Sequence, residues 1–170
     1  IHARIYSQLP QAQLVAVCDL LPDQMEPLAR QYGCQAIQDY RQLLGQVDAV
    51  SIAVPTQAHY PIAKIFLAAG IHTLVEKPIT QTLQEADRLL KLRAKTKAVL
   101  QVGHVERFNA AFRKVQASLS HPRFIEVHRL APFQPRGTEV GVVLDLMIHD
   151  IDIVLDLVKS PLRRVEAVGV

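Results

Sequence analysis

Short apolar runs that alternate with amphipathic helices leave few folds open to this chain. Leu14 to Cys18, Ala49 to Val54, Ile71 to Val75 and Val99 to Val102 are apolar almost throughout. A strand that faces water on one side alternates apolar and polar residues. A strand that is apolar throughout is covered on both faces, as in parallel sheets flanked by helices. Between these runs the spacing predicts helices over 22–32, 59–69 and 82–95. Gly33 and Gly70 close the first two, and Asp39 caps a short helix over 39–44. The first two-thirds of the chain therefore predict a doubly wound α/β sheet. The pattern changes after residue 120. Residues 123–130 alternate like a strand with one wet face. A loop with Pro132, Pro135 and Gly137 follows, then a helix over 142–158 and a strand from about Arg164. This predicts a first domain over 1–120 and the start of an α+β open-sheet domain over 121–170.

With 49% hydrophobic and 21% charged residues, the chain has the material for a packed core. A net charge of +3, with scattered Lys and Arg and no basic patch interleaved with aromatics, argues against a nucleic-acid partner. Cys18 and Cys34 are the two cysteines, in no metal-binding spacing, so a reduced cytoplasmic protein with no metal is the simplest expectation. No apolar run approaches 18 residues and no signal peptide is present, so no membrane span is expected. The chain begins at Ile1 and ends in the apolar stretch 165–170, and both ends read as cut.

In an open parallel sheet the ligand crevice lies outside the carboxyl ends of the strands. Three sets of residues fall there. Asp19 ends the first apolar run. An acid at that place bonds the ribose hydroxyls of a dinucleotide and repels the extra phosphate of NADP, and Leu20 and Leu21 follow it with no Arg to welcome that phosphate. This favours NAD; the other reading of Asp19 is an ordinary helix cap. The Gly-rich phosphate loop that precedes such a strand is not in the sequence, and residues 1–8 suit the rear of the helix it opens. Pro55, Thr56 and His59 follow the next run, as cofactor contacts or as turn chemistry. Glu76-Lys77-Pro78 ends the third run. Either it places an ammonium at a bound ligand, or it is a surface ion pair with a proline stop.

The second informative stretch is the helix of 142–158. At 3.6 residues per turn, Asp145, His149, Asp152 and Asp156 share a face, while Met147, Ile148, Ile151, Val154 and Leu155 make the rest apolar and predict a mostly buried helix. Asp145 and His149 are spaced i, i+4. A carboxylate one turn from an imidazole orients the ring and stabilises its protonated form, which suits a general acid/base. A solvated helix face is the plain alternative; a metal site lacks further ligands at the right spacing.

Taken together, Glu76-Lys77-Pro78, the segment Gly103-His104-Val105-Glu106-Arg107-Phe108-Asn109, and Asp145-x-x-x-His149 with Asp150-Ile151-Asp152 resemble the Gfo/Idh/MocA oxidoreductases. The resemblance covers the whole chain, in order. It departs from the family in the missing Gly-rich loop, in the early end of the second domain, and in Gly141-Val142-Val143 where many members carry a glycine run. It implies a Rossmann domain plus an open-sheet domain, and reversible NAD(P)-dependent oxidation of a secondary alcohol. It also implies a homo-oligomer, and a sugar substrate, in the nucleotide-sugar branch one such as UDP-N-acetylglucosamine. On the family's pattern Lys77, Asp145 and His149 are the catalytic residues. Asp19, Pro55, Thr56, His59, Glu76 and Lys77 would meet cofactor, and Arg107, Asn109 and Asp145 would meet substrate. Arg107 suits a diphosphate, or else an ion pair with Glu106 or another carboxylate. Either His149 or Lys77 can be the proton acceptor. Oxidation of inositol or a free sugar, a non-catalytic cofactor-binding sensor, and an inactive interaction fragment are the competing readings.

Overall fold

A computed structural model describes residues 1–130 and 141–169. The proline- and glycine-containing loop expected at Pro132, Pro135 and Gly137 lies outside the described residues. The chain divides into two compact units, residues 1–102 and 103–170, with the division ahead of the composition change near residue 120.

The first unit is the expected α/β layer. Its elements are α1 (His2–Gln8), β1 (Ala16–Cys18), α2 (Pro22–Tyr32), β2 (Gln35–Ile37), β3 (Ala49–Ile52), α3 (His59–Ala68), β4 (His72–Val75), α4 (Leu83–Thr96) and β5 (Leu100–Val102). All strand pairs are parallel. β1 pairs with β2, and β3-β4-β5 form the second patch, in register Ala49 to His72 and Thr73 to Leu100. In the doubly wound order 3-2-1-4-5-6 these patches occupy places 3-2 and 4-5-6. They share one core: Ile37, Ile52, Phe66, Leu67, Val75 and Leu89 are buried together, with Ala16 and Cys18 packed against them.

Local chemistry sets the helix limits. Gly33 ends α2 in the left-handed conformation, at φ 65°, where a side chain would be strained. Thr82 and Glu85 form a reciprocal capping box at the start of α4. Asp39 accepts from the Arg41 N–H, as its cap position predicts, and starts a single 3₁₀ turn over Tyr40–Leu43. β2 was not foreseen. Only Ile37 of its three residues is buried, and three residues are too few to show a period.

The second unit holds a 3₁₀ turn (Val105–Phe108), α5 (Ala110–Gln116), a π turn (Val143–Met147) and α6 (Ile148–Leu157). Two strand expectations are not met: residues 123–130 and the segment from Arg164 form no strand. Alternation supplies a face, but a strand also needs a ladder partner, and no described residue of this unit supplies one. The helix over 142–158 is present, with its first turn widened. It is less buried than its composition predicts: Met147, Ile151 and Leu155 are 50%, 41% and 53% exposed. No helix among the described residues is long and apolar enough to cross a membrane.

Candidate active site

The carboxyl edge of the first unit's sheet collects the residues predicted to meet a cofactor. Asp19 follows β1 and is exposed. Its Oδ1 accepts the Leu21 N–H at 2.9 Å, closing a tight turn ahead of α2, whose N-cap is Leu21 with no side-chain cap bond, so Asp19 is not the cap of that helix. The carboxylate's remaining lone pairs stay available as acceptors. Leu20 and Leu21 are 80% and 61% exposed beside it. Burial raises the Cys18 thiol above its usual pKa, and the carboxylates of Asp19 and Asp39 add to the effect. Cys18 therefore sits here as a small, protonated hydrophobe.

Pro55 lies exposed in the loop after β3, while Thr56 is buried within the 3₁₀ turn Thr56–Ala58. His59 opens α3. It is 1% exposed, with Nδ1 2.8 Å from the Pro78 carbonyl and Nε2 2.8 Å from the Val54 carbonyl. Both nitrogens face main-chain oxygens, so the ring is a strut between two loops and presents no edge to a ligand. Periodicity could not show this, since both partners are backbone atoms.

Glu76 continues the β4 ladder, its N–H donating to Ile52 O at 2.9 Å. Its carboxylate is held at both oxygens: Oε1 lies 2.9 Å from His2 Nε2, and Oε2 accepts the Lys77 N–H at 3.3 Å. Lys77 is half-buried at this strand end, and its bond to the buried Pro78 is cis. A cleft lined by Gly45, Asp48, Gly70 and His72 lies at the opposite, amino end of β3 and β4.

In the second unit, Asp145 sits in the π turn and His149 in the first turn of α6; both are half-buried. The widened turn rotates Asp145 away from the register a regular helix would give it, because a π turn carries an extra residue. The other aspartates of the stripe are held by cations of the same unit. Arg107 grips Asp152 with two parallel bonds, Nε to Oδ2 and Nη2 to Oδ1, both 2.6 Å, and reaches Asp156 at 3.3 Å. His104 Nδ1 stands 3.9 Å from Asp152. Arg129 makes a second bidentate pair, with Asp150, at 2.7 Å. Gln116 and Lys159 complete the set at Asp156, at 2.6 and 3.1 Å.

These contacts move the acids in one direction. The Arg107 hydrogen bonds hold Asp152 below the ordinary carboxylate range against the opposing effect of burial, and Arg129 does the same for Asp150. Lys159 and then Gln116 lower Asp156. Arg107 itself is raised, chiefly by its bond to Asp152. Of the two readings of Arg107, the geometry is that of an ion pair with a neighbouring carboxylate. Asn109 is likewise a cap: its Oδ1 accepts the Ala111 and Phe112 N–H groups, opening α5, and its Nδ2 donates to Glu106. An Asn just before a helical run is the signal that foretells this role. Among the described residues no group of three or more His, Cys, Asp or Glu is placed to hold a metal ion.

A Rossmann-type layer with Asp19 at one strand end and Glu76-Lys77-Pro78 at another agrees with comparison to known families. Residues 1–104 match the model of an oxidoreductase family with an NAD-binding Rossmann fold. The chain belongs to the Gfo/Idh/MocA oxidoreductase family. Within that family it is 39% identical over 170 residues to a UDP-N-acetylglucosamine 3-dehydrogenase of Acidithiobacillus ferrooxidans, matching 99% of this chain and 54% of that protein. A solved structure of that enzyme superposes with a TM-score of 0.84, covering 93% of this chain and 52% of the other. An inositol 2-dehydrogenase of Rhizobium meliloti is 33% identical over 162 residues, covering 89% of this chain and 49% of its own length. The chain thus spans about half the length of the curated relatives it matches.

Proposed function

We propose that the intact protein is an NAD-dependent dehydrogenase that reversibly oxidises a secondary hydroxyl of a nucleotide sugar of the UDP-N-acetylglucosamine class. The observation that carries this is Lys77 at the carboxyl end of β4, in a unit of a family whose Rossmann fold binds NAD. The 39% identity to a UDP-N-acetylglucosamine 3-dehydrogenase supports the substrate class. The residues fit the cofactor. An acceptor-only carboxylate with free lone pairs suits ribose hydroxyls, and the exposed leucines beside it give a third phosphate no cation to pair with, favouring NAD over NADP. Pro55 lies on the same edge.

NAD, when bound, supplies the hydride acceptor. The protein's share is to hold the alcohol and move its proton. Lys77 bonds the reacting oxygen and stabilises the alkoxide as it forms. His149 takes the hydroxyl proton, a contribution of about 10²–10⁴-fold. Asp145 orients His149 or bonds a neighbouring hydroxyl. A homo-oligomeric state belongs to the same proposal and is read by light scattering.

The test is absorbance of reduced nicotinamide with NAD and a panel of UDP-sugars, free hexoses and inositols. The proposal expects turnover with a UDP-sugar and a loss in kcat/KM of about 10²-fold or more in Lys77→Ala and in His149→Ala. Values within a few-fold of the parent in both variants overturn the residue roles. Turnover of inositol alone moves the substrate to the class named for the 33% identical relative.

A further inference from the structure

Two histidines of the first unit converge on the segment that carries Lys77, and neither offers a ring edge to substrate. His2 stands on α1, with Nε2 2.9 Å from Glu76 Oε1 and Nδ1 2.8 Å from the Ser51 hydroxyl on β3. An ionised carboxylate only accepts, so Nε2 donates to Glu76, and in the neutral ring the Ser51 hydroxyl donates to Nδ1. The second oxygen of Glu76 accepts the Lys77 N–H. His2 therefore acts on the backbone of Lys77 through one carboxylate. His59, at the opening of α3, works from the other side of the peptide: its two ring nitrogens lie 2.8 Å from the Pro78 and Val54 carbonyls, and because a carbonyl only accepts, the neutral ring donates to one of them and the imidazolium to both. The residues before and after Lys77 are thus each fastened to a different part of the fold, Glu76 to α1 and β3, Pro78 to the loop after β3.

An apolar side chain would fill the space of His59 at lower desolvation cost, and the core below is already closed by Phe66, Leu67, Leu89 and Val75. What an apolar residue cannot do is hold two carbonyls at set positions. A buried ring that donates to a main-chain carbonyl and packs against a second restricts the local geometry, and a catalytic group displaced by about 1 Å loses on the order of 10²-fold in rate.

We propose that His2 and His59 are positioning residues that fix Glu76-Lys77-Pro78 at the sheet edge so that the Lys77 ammonium is presented in one place. The inference rests on the reading of Lys77 as the group that meets the reacting oxygen. The test uses the intact protein with His2→Ala, His2→Gln and His59→Gln, each alone and with Lys77→Ala. Without cofactor or substrate, amide exchange at Lys77 and Ile79 is expected to quicken about tenfold in His2→Ala and His59→Gln, with β4 protected as in the parent. In turnover of UDP-N-acetylglucosamine with NAD, kcat is expected to fall about 10-fold or more with KM for NAD within about threefold. His2→Gln, which keeps a donor for Glu76, is expected to recover most of the loss. In the Lys77→Ala background the histidine variants are expected to cost nothing further, because the group they position is gone. If His59→Gln does not fold, the half-exposed His2 carries the test alone. Unchanged exchange at Lys77 and Ile79, or equal losses of kcat with and without Lys77, overturns the inference. Parental kcat in Lys77→Ala sinks the reading of Lys77 and this inference with it. It is told apart by the exchange data, which would still show the histidines bracing the segment.

Discussion

Arg107 offers the sharpest quantitative test, because its two readings make opposite demands on stability and binding. The fork to Asp152 has ideal bidentate geometry at 2.6 Å, and Asp152 is 12% exposed, which favours a strong pair. Arg107 is 42% exposed, so solvent screens much of the attraction. Weighing the two places the Arg107–Asp152 coupling near the top of the exposed-pair range, about 1 kcal/mol. Arg107→Ala also loses the contact to Asp156 and its aliphatic stem, raising the expected cost to about 2 kcal/mol. Amide exchange of α6 in Arg107→Ala, Asp152→Asn and the double variant measures the coupling, since about 1 kcal/mol is roughly a fivefold change in the opening equilibrium. Asp152 has a depressed folded-state pKa, so its contribution is complete above the unfolded value of about 3.9. That contribution is lost as the pH falls through the still lower folded value. Protection of α6 should be flat from pH 7 to 5 and should fall below about pH 4. A coupling under about 0.3 kcal/mol refutes the clamp. So does a tenfold rise in KM for a UDP-sugar in Arg107→Lys with α6 protection unchanged, which would mean that the guanidinium meets substrate.

Asp19→Ala is expected to raise KM for NAD with little effect on kcat, and steady-state kinetics against NAD and NADP would show the preference for NAD shrinking. Phe66 is 2% exposed in the shared core of the first unit, so Phe66→Ala should destabilise that unit by about 3–5 kcal/mol, measured by urea titration. Thr82→Ala breaks the capping box of α4 and should cost about 1 kcal/mol by the same titration, with most of it restored in Thr82→Ser. A loss below about 0.3 kcal/mol in Thr82→Ala would mean that α4 is held by packing alone.

The alternation of apolar runs with periodic helices was enough to read the α/β layer, the parallel sense of its strands and the placement of Asp19 and Lys77 at strand ends. Those properties follow from local chemistry: which faces are apolar, where glycine or a capping side chain ends a helix, and where each strand stops. Glu76-Lys77-Pro78 is a short motif set by neighbours in the chain, whereas the i, i+4 pairing of Asp145 with His149 assumed a regular helix, which the π turn over Val143–Met147 interrupts. Other features needed distant partners. β2 exists because Val15 and β1 lie beside it, not because its three residues insist on it. Residues 123–130 alternate correctly and still form no strand, because a ladder takes two. The roles of His59, His2 and Arg107 rest on partners 19, 74 and 45 residues away. A side chain's residue type states what it can bond, but only the folded backbone selects which acceptor it meets. For His59 the fold brings two main-chain carbonyls to the ring, and for Arg107 it brings the Asp152 carboxylate, the ion-pair alternative that the sequence left open beside a diphosphate contact.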